Sequence, residues 1–175
     1  MKTVSIIGFL FLLISTSCDS NKKSTELTEL EKATIGKLIK KNIDEGIEAT
    51  RVKDIETYMS RLPQDLVIYD ESGEIISRDK QKEYALRDWA IIDTTLSIKM
   101  DIDSIQFLKK DSVIVFTSQR WKRMMFQRDG ITTDTVLTTQ KHKETWRNNE
   151  EGWFGYDIEE LGGEIFINGK KYIPE

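Results

Sequence analysis

Four side chains of this chain have the chemistry of a catalytic or attachment site. His142 is the only histidine, and Glu144 follows it at a spacing that puts both side chains on one face of a β-strand. An imidazole in that setting could act as a general acid–base, with Glu144 or Asp70 tuning its pKa. Cys18 is the only cysteine, and it could carry a lipid. These residues predict one site in the folded chain and a second near its start.

His142 also has a purely structural interpretation. A lone histidine on a sheet is more often a hydrogen-bonded structural residue than a catalyst. Together with Glu144 it falls short of a zinc site, which needs three or four well-placed ligands. The chain has no Walker A, dinucleotide-binding, HExxH, CxxC or Gly-x-Ser-x-Gly motif. We therefore expect no metal and no cofactor, and the sequence favours a binding protein over an enzyme without excluding catalysis.

The segment that ends at Cys18 has the layout of a bacterial lipoprotein signal. Lys2 precedes an apolar run from Val4 to Ile14, and small residues separate this run from the cysteine. The run is about 11 residues long, well short of the roughly 20 that a membrane-spanning helix needs. The segment resembles a lipobox, with Ser15 where a large aliphatic residue is usual, as in the looser versions of Bacteroidetes-type bacteria. The resemblance implies that residues 1–17 are removed and that Cys18 is lipidated.

A lipidated Cys18 places the protein outside the cytoplasm. We expect an exported protein of the cell envelope, held by its lipid on a bacterial membrane, either the outer membrane or a periplasm-facing surface. Residues 18–27 would be a short polar tether. Without Lys2, 25 basic side chains face 30 acidic ones, so the mature net charge of −5 argues against nucleic acid as a partner. The alternative is an ordinary signal peptide cut nearby, which would leave a free thiol.

Helical periodicity dominates the first half of the mature chain. Ile35, Ile39, Ile43 and Ile47 recur at four-residue steps, which predicts a helix over residues 28–48 with one apolar stripe. Thr28 and Glu31, three residues apart, are typical of a capping box. Two further helices are predicted at residues 51–61 and 79–92, with a short strand at 66–69 and its partner at 74–77 between them.

From Thr95 onward the period changes to two, as in β-strands. The first long strand switches parity between Ile102 and Ile105, which predicts a β-bulge near residues 103–104. Further strands are predicted at 112–125, 133–147 and 153–160. Residues 164–173 predict a C-terminal hairpin with a type I′ turn at Asn168-Gly169. These patterns predict an α+β fold, with three N-terminal helices packed on a curved antiparallel sheet.

The chain resembles the NTF2-like superfamily, in particular its SnoaL-like and DUF4440-type members, over about residues 28–161. The resemblance is carried by the helix ending in Tyr58-Met59, the strand at 66–70 and the segment 139–146 followed by Gly152-Trp153. It implies that residues 28–175 form one cone-shaped domain with a pocket between sheet and helices. Members of this superfamily include enzymes and non-enzymes.

The strand faces predict a pocket independently of that resemblance. One face of strands 112–125 and 133–147 mixes apolar side chains with Gln119, Gln140, His142 and Glu144, and a plain core would not bury such polar groups. The other face carries charges that would pair across strands in solvent. Arg123 could instead form a structural ion pair with Glu144. The candidate pocket residues are Tyr58, Tyr69, Trp89, Gln119, Trp121, Arg123, Gln140, His142 and Glu144.

Three functions fit these observations. The first is a membrane-anchored module that binds a small, partly apolar ligand without catalysis. The second, which the SnoaL-like resemblance implies, is an isomerase, dehydratase or cyclase with His142 as general acid–base, tuned by Glu144 or Asp70. The third is a protein-interaction domain with a vestigial pocket. An open cavity would favour the first two functions and a filled cone the third. The oligomeric state stays open.

Overall fold

The computed structural model describes residues 26–173. Cys18, the signal segment 1–17 and most of the predicted tether lie outside this range, whereas Leu27 packs against the core. Helix α1 spans Glu29–Val52 and begins at the predicted capping box, where the Thr28 amide donates to Glu31 Oε2 over 2.7 Å. It ends at Lys53, whose φ of 58° is left-handed. The capping box and the left-handed Lys53 thus cap the helix at its two ends.

Two shorter helices flank the first two strands. Helix α2 spans Ile55–Ser60, β1 spans Val67–Tyr69, β2 spans Ile75–Ser77 and α3 spans Arg78–Ala90. The side chains of Asp54 and Ser77 cap α2 and α3 by accepting from backbone amides. Because β1 and β2 lie between α2 and α3, the helices do not form one continuous N-terminal block. None of the described helices combines the length and apolar character needed to cross a membrane.

The long strands form a curved mixed sheet. They are β3 (Ile92–Lys109), β4 (Ser112–Phe126), β5 (Thr133–Asn149) and β6 (Gly152–Ile167), with β7 reduced to Lys170–Lys171. The strand order is β2-β1-β6-β5-β4-β3, with β7 pairing to β6. The predicted antiparallel sheet is wrong at one pair, because β1 lies parallel to β6. These two strands are far apart in sequence, so no local pattern reveals how they pair.

The one predicted bulge and the predicted pairing of opposite charges on the outer face are confirmed. The register between β3 and β4 shifts between Ile102 and Ser104, where the parity switch predicts a bulge. On the outer face, Lys143 pairs with Glu159 and Arg147 with Asp157, each over 2.8 Å. The inner face is therefore free of these charges and turns toward the helices.

Strand β6 is longer than its predicted range of residues 153–160. It continues through Gly162, whose φ of 109° favours glycine, and Gly163. A Cβ at Gly163 would lie 2.0 Å from the Thr139 carbonyl oxygen, so only glycine permits this approach to β5. The predicted C-terminal hairpin is the end of β6 with β7, turned by Asn168 and Gly169, which both have positive φ as a type I′ turn requires.

Candidate ligand cavity

A cavity of about 370 Å³ lies between the inner face of the sheet and the helices. Its floor comes from β3 to β6 and its walls from α1, α2 and α3. Seven of the nine predicted pocket residues line it: Tyr58, Trp89, Gln119, Trp121, Gln140, His142 and Glu144. The face assignment from strand parity thus agrees with the structure for the five of these residues that lie on strands.

Aromatic side chains form much of the cavity wall. The rings of Tyr58 and Trp89 meet edge to face, with centroids 5.5 Å apart. Gln81 donates to the Tyr58 hydroxyl over 2.8 Å, and burial raises the pKa of Tyr58. The sequence analysis did not select Gln81, although its place three residues before Tyr84 and four before Ala85 puts it on the inner face of α3. The rings of Tyr58 and Trp89 thus form a rigid apolar wall, and the hydrogen bond from Gln81 fixes the Tyr58 hydroxyl.

A buried polar chain links His142, Thr117 and Glu144. Thr117 donates its hydroxyl hydrogen to Glu144 Oε1 over 2.8 Å, and its Oγ1 lies 3.3 Å from His142 Nδ1. Trp146 Nε1 donates to Glu144 Oε2 over 2.8 Å. With its only hydrogen directed at Glu144, Thr117 can only accept from the imidazole. With Glu144 ionised, this geometry puts the hydrogen of His142 on Nδ1 and leaves a lone pair on Nε2.

Burial determines the charge of these groups. His142 is 7% exposed, and burial lowers its pKa from 6.5 to about 4, so the imidazole is neutral near pH 7. Glu144 is 3% exposed. Burial raises the pKa of Glu144, and the hydrogen bonds from Thr117 and Trp146 oppose that rise. The structure thus presents a neutral, oriented imidazole, which can accept a hydrogen bond or a proton at Nε2.

A row of polar side chains crosses the cavity floor, and within the described residues three of them, Gln119, Gln140 and Glu160, make no side-chain hydrogen bond. Gln119 lies opposite Gln140 on β4 and β5, and His142 lies opposite Glu160 on β5 and β6. All four line the cavity. Burial, with Glu71 and Asp70 nearby, raises the pKa of Glu160. Sequence reasoning missed Glu160, although the outward assignment of Asp157 and Glu159 already placed it on the inner face.

Three predicted site residues lie elsewhere. Tyr69 is 40% exposed and does not line the cavity, because its neighbour Ile68 takes the inward position on β1. Asp70 cannot tune His142, since its Oδ1 accepts from the amides of Ser72 and Glu74 over 2.9 and 2.7 Å and holds the turn after β1. These hydrogen bonds lower the pKa of Asp70.

Arg123 is the third such residue, and its predicted ion pair with Glu144 is wrong. Glu144 lies opposite Val115, eight positions along β4 from Arg123. The Arg123 guanidinium instead lies 4.3 Å from the ring centroid of Trp121 and donates to Thr138 Oγ1 over 2.9 Å. It therefore supports the Trp121 wall from outside the cavity.

Within residues 26–173, no group of three or more His, Cys, Asp and Glu side chains could hold a metal ion. The side chains of the polar row can donate and accept hydrogen bonds. Its open positions, meaning polar groups that make no side-chain hydrogen bond within the described residues, are the Nε2 atom of His142, the amides of Gln119 and Gln140, and the carboxylate of Glu160.

No family model and no curated protein matches the sequence, whereas solved structures do. A protein from Novosphingobium aromaticivorans that bears the provisional name scytalone dehydratase is 10% identical; the match covers 85% of this chain and 94% of that chain, with a TM-score of 0.69. A type 2 hexachlorocyclohexane dehydrochlorinase is also 10% identical, with 84% and 98% covered and a TM-score of 0.64. An NTF2-like protein from Cytophaga hutchinsonii is 16% identical, with 71% and 95% covered and a TM-score of 0.57. The described chain has the NTF2-like fold.

Proposed function

We propose that this protein binds a small, partly apolar molecule in the cavity. The observation that carries the proposal is the polar row set between apolar walls. Within the described residues, Gln119, Gln140, Glu160 and His142 Nε2 have no side-chain hydrogen-bond partner, and all four residues line the cavity. No fully buried side-chain nitrogen or oxygen of the described residues lacks a partner, so these four groups are accessible to water, and a ligand that displaces this water must offer matching polar atoms. The cavity volume of about 370 Å³ is within the usual range for small ligands.

Gly46 offers a test that blocks the cavity without damaging the fold. It lines the cavity from α1, and a Cβ added there would meet no atom within 4 Å. Gly46→Leu should fill the space, and replacing a helical glycine should stabilise α1 by up to about 1 kcal/mol. We expect tryptophol, an indole with a hydroxyethyl chain, to bind the wild type and to lose at least about tenfold in affinity in the variant, measured by calorimetry.

Gly36→Ala is the matched control, because Gly36 lies on the same helix and its added Cβ would make an ordinary 3.5 Å contact with Ile105. This variant should gain similar helix stability and keep wild-type affinity. Equal affinity for tryptophol in the Gly46→Leu variant and the wild type would place the binding site outside the cavity and refute the proposal.

A second candidate function is acid–base catalysis of the isomerase or dehydratase kind. The observation that favours it is the neutral His142, held through Thr117 and Glu144 with Nε2 toward the cavity. A base in this position could remove a proton from carbon next to a carbonyl group. Structural neighbours named as a dehydratase and a dehydrochlorinase are consistent with this chemistry.

Proton exchange in a bound ketone tests the second candidate. In D₂O, the wild type should speed deuterium uptake at the carbon next to the carbonyl of 2-tetralone, as followed by NMR, and His142→Gln should not. Uptake at the uncatalysed rate with the wild type would leave binding as the function. Of the two, ligand binding is favoured, because it requires only the cavity and its open polar groups.

We also propose that the protein is exported and held on a bacterial membrane by a lipid on Cys18. The support is the signal-like segment before Cys18, and both lie outside the described residues. Mass spectrometry of protein from its own membranes should find an N-terminal acylated cysteine. In Cys18→Ala the lipid should be absent and the protein should leave the membrane fraction. An unmodified thiol at Cys18 would contradict the anchor.

A further inference from the structure

We propose that the ligand carries a protonated amine on an apolar body, and that Glu160 and His142 receive the ammonium group. This inference rests on the proposed binding function and narrows the class of ligand. It follows from three features of the cavity: the hydrogen-bonding character of its open positions, its charges and its aromatic walls.

The open positions next to each other are acceptors. Glu160 lies directly opposite His142 on the neighbouring strand, a spacing at which side chains are about 5 Å apart at Cβ. The Glu160 carboxylate can only accept, and His142 Nε2 accepts when Glu144 is ionised, since Thr117 then donates to Glu144 and accepts from Nδ1. The amides of Gln119 and Gln140 on the same floor can accept as well as donate. A ligand group with several N–H donors would satisfy this arrangement.

The charges of the cavity point to the same group. The only guanidinium lining it, that of Arg61, is taken by Glu45 at 2.6 Å. Within the part of the chain that the structure describes, Glu160 has no basic partner, whereas Asp70 and Glu71 act on it with like charge. A carboxylate in this setting attracts a cation and repels an anionic ligand.

Aromatic rings supply the remaining contacts. Trp89, Trp121 and Tyr58 line the cavity, and their faces attract organic cations as well as apolar groups. One face of Trp121 is already covered by Arg123 at 4.3 Å. Because these aromatic side chains line the same cavity as Glu160, a ring-bearing amine could place its ring among them and its ammonium group at the Glu160 carboxylate.

Three indoles that differ only at the end of the side chain test the inference. At pH 7 tryptamine is a cation, tryptophol is neutral and indole-3-propionate is an anion. Calorimetry should give the order tryptamine, tryptophol, indole-3-propionate, with tryptamine at least about tenfold tighter than tryptophol. Glu160→Gln should lower tryptamine affinity at least about tenfold and so abolish this preference. Glu159→Gln removes the same charge from the outer face, where Glu159 pairs with Lys143, and should change nothing.

The outcomes separate this inference from the function on which it rests. Equal or tighter binding of tryptophol or indole-3-propionate by the wild type overturns the amine proposal and leaves ligand binding intact. So does a tryptamine preference that survives Glu160→Gln. Binding of none of the three at millimolar concentration contradicts both proposals. The wild-type series alone decides these points if the Glu160→Gln variant does not fold.

Discussion

His142 and Glu160 lie directly opposite each other on β5 and β6, and both side chains line the cavity. On the far side of His142, Thr117 connects its Nδ1 atom to the buried Glu144 carboxylate. The imidazole thus has one ring nitrogen in a closed structural network and the other facing open space. The hydrogen bond at Nδ1 fixes the orientation of the imidazole, and Nε2 is available to bind a ligand.

Removing the Thr117 hydroxyl should destabilise the fold. Thr117→Val keeps the shape of the side chain, but it leaves Glu144 Oε1 and His142 Nδ1 without their partner. Thr117 is 1% exposed, so water cannot easily replace the hydroxyl. We expect the free energy of unfolding, measured with urea at pH 7, to fall by about 1–3 kcal/mol.

Thr145→Val is the control for that substitution. Thr145 lies on the opposite face of β5, across from Ile114 and Asp157, and its side chain has no hydrogen bond within the described residues. Its stability should stay within about 0.5 kcal/mol of wild type. A Thr117→Val loss no larger than that of the control would show that the buried network contributes nothing.

His142 should make the fold less stable in mild acid. Burial lowers its pKa from 6.5 to about 4, so between these values the unfolded chain binds a proton here that the folded chain does not. The free energy of unfolding should therefore fall as the pH drops from about 6.5 to about 4, by up to roughly 3 kcal/mol, and this effect should level off below. Urea unfolding across this range measures it.

His142→Gln removes the titrating imidazole and leaves the other titratable groups of the chain in place. The difference in stability between wild type and variant should thus change with pH over this window and be flat above about pH 7. Parallel curves for the two proteins would mean that His142 titrates alike in the folded and unfolded chain, and that it is not buried as described.

Gly163 should tolerate no side chain. A Cβ there would meet the Thr139 carbonyl oxygen at 2.0 Å, and backbone cannot yield as a flexible side chain can. Gly163→Ala should destabilise the fold by about 1–3 kcal/mol or more by distorting the β5–β6 pairing. Thermal unfolding beside Gly36→Ala, where the contact is an ordinary 3.5 Å, provides the comparison. Equal melting temperatures in these two variants would contradict the close approach.

Local periodicity predicts most of the elements and the faces of the long strands, although β6 extends beyond its predicted end at residue 160. The four-residue steps of Ile35, Ile39 and Ile43 do bury one stripe of α1, and strand parity placed His142 and Glu144 in the cavity. Parity says nothing about depth along a strand, which is why Arg123 was placed too close to Glu144. Strand β1 has only three residues, which is too short for the alternation to show that Tyr69 faces outward.

Long-range pairing was beyond these patterns. The parallel contact of β1 with β6 and the hydroxyl link from Thr117 to His142 depend on register between distant segments. Glu160 is a different case, since strand parity alone places it on the inner face. Its role as a candidate ligand contact becomes visible only from its position opposite His142. The part of the prediction that concerns Cys18 stays a prediction.

The most direct test of the account is the ¹⁵N NMR spectrum of the imidazole of His142, which is unambiguous in an untagged protein because the chain has one histidine. We expect a neutral ring protonated at Nδ1 near pH 7, with an Nε2 signal that shifts when tryptamine is added. In Gly46→Leu the Nε2 signal should not respond. A ring protonated at Nε2, or an Nε2 signal unchanged at a tryptamine concentration that saturates binding, would contradict it.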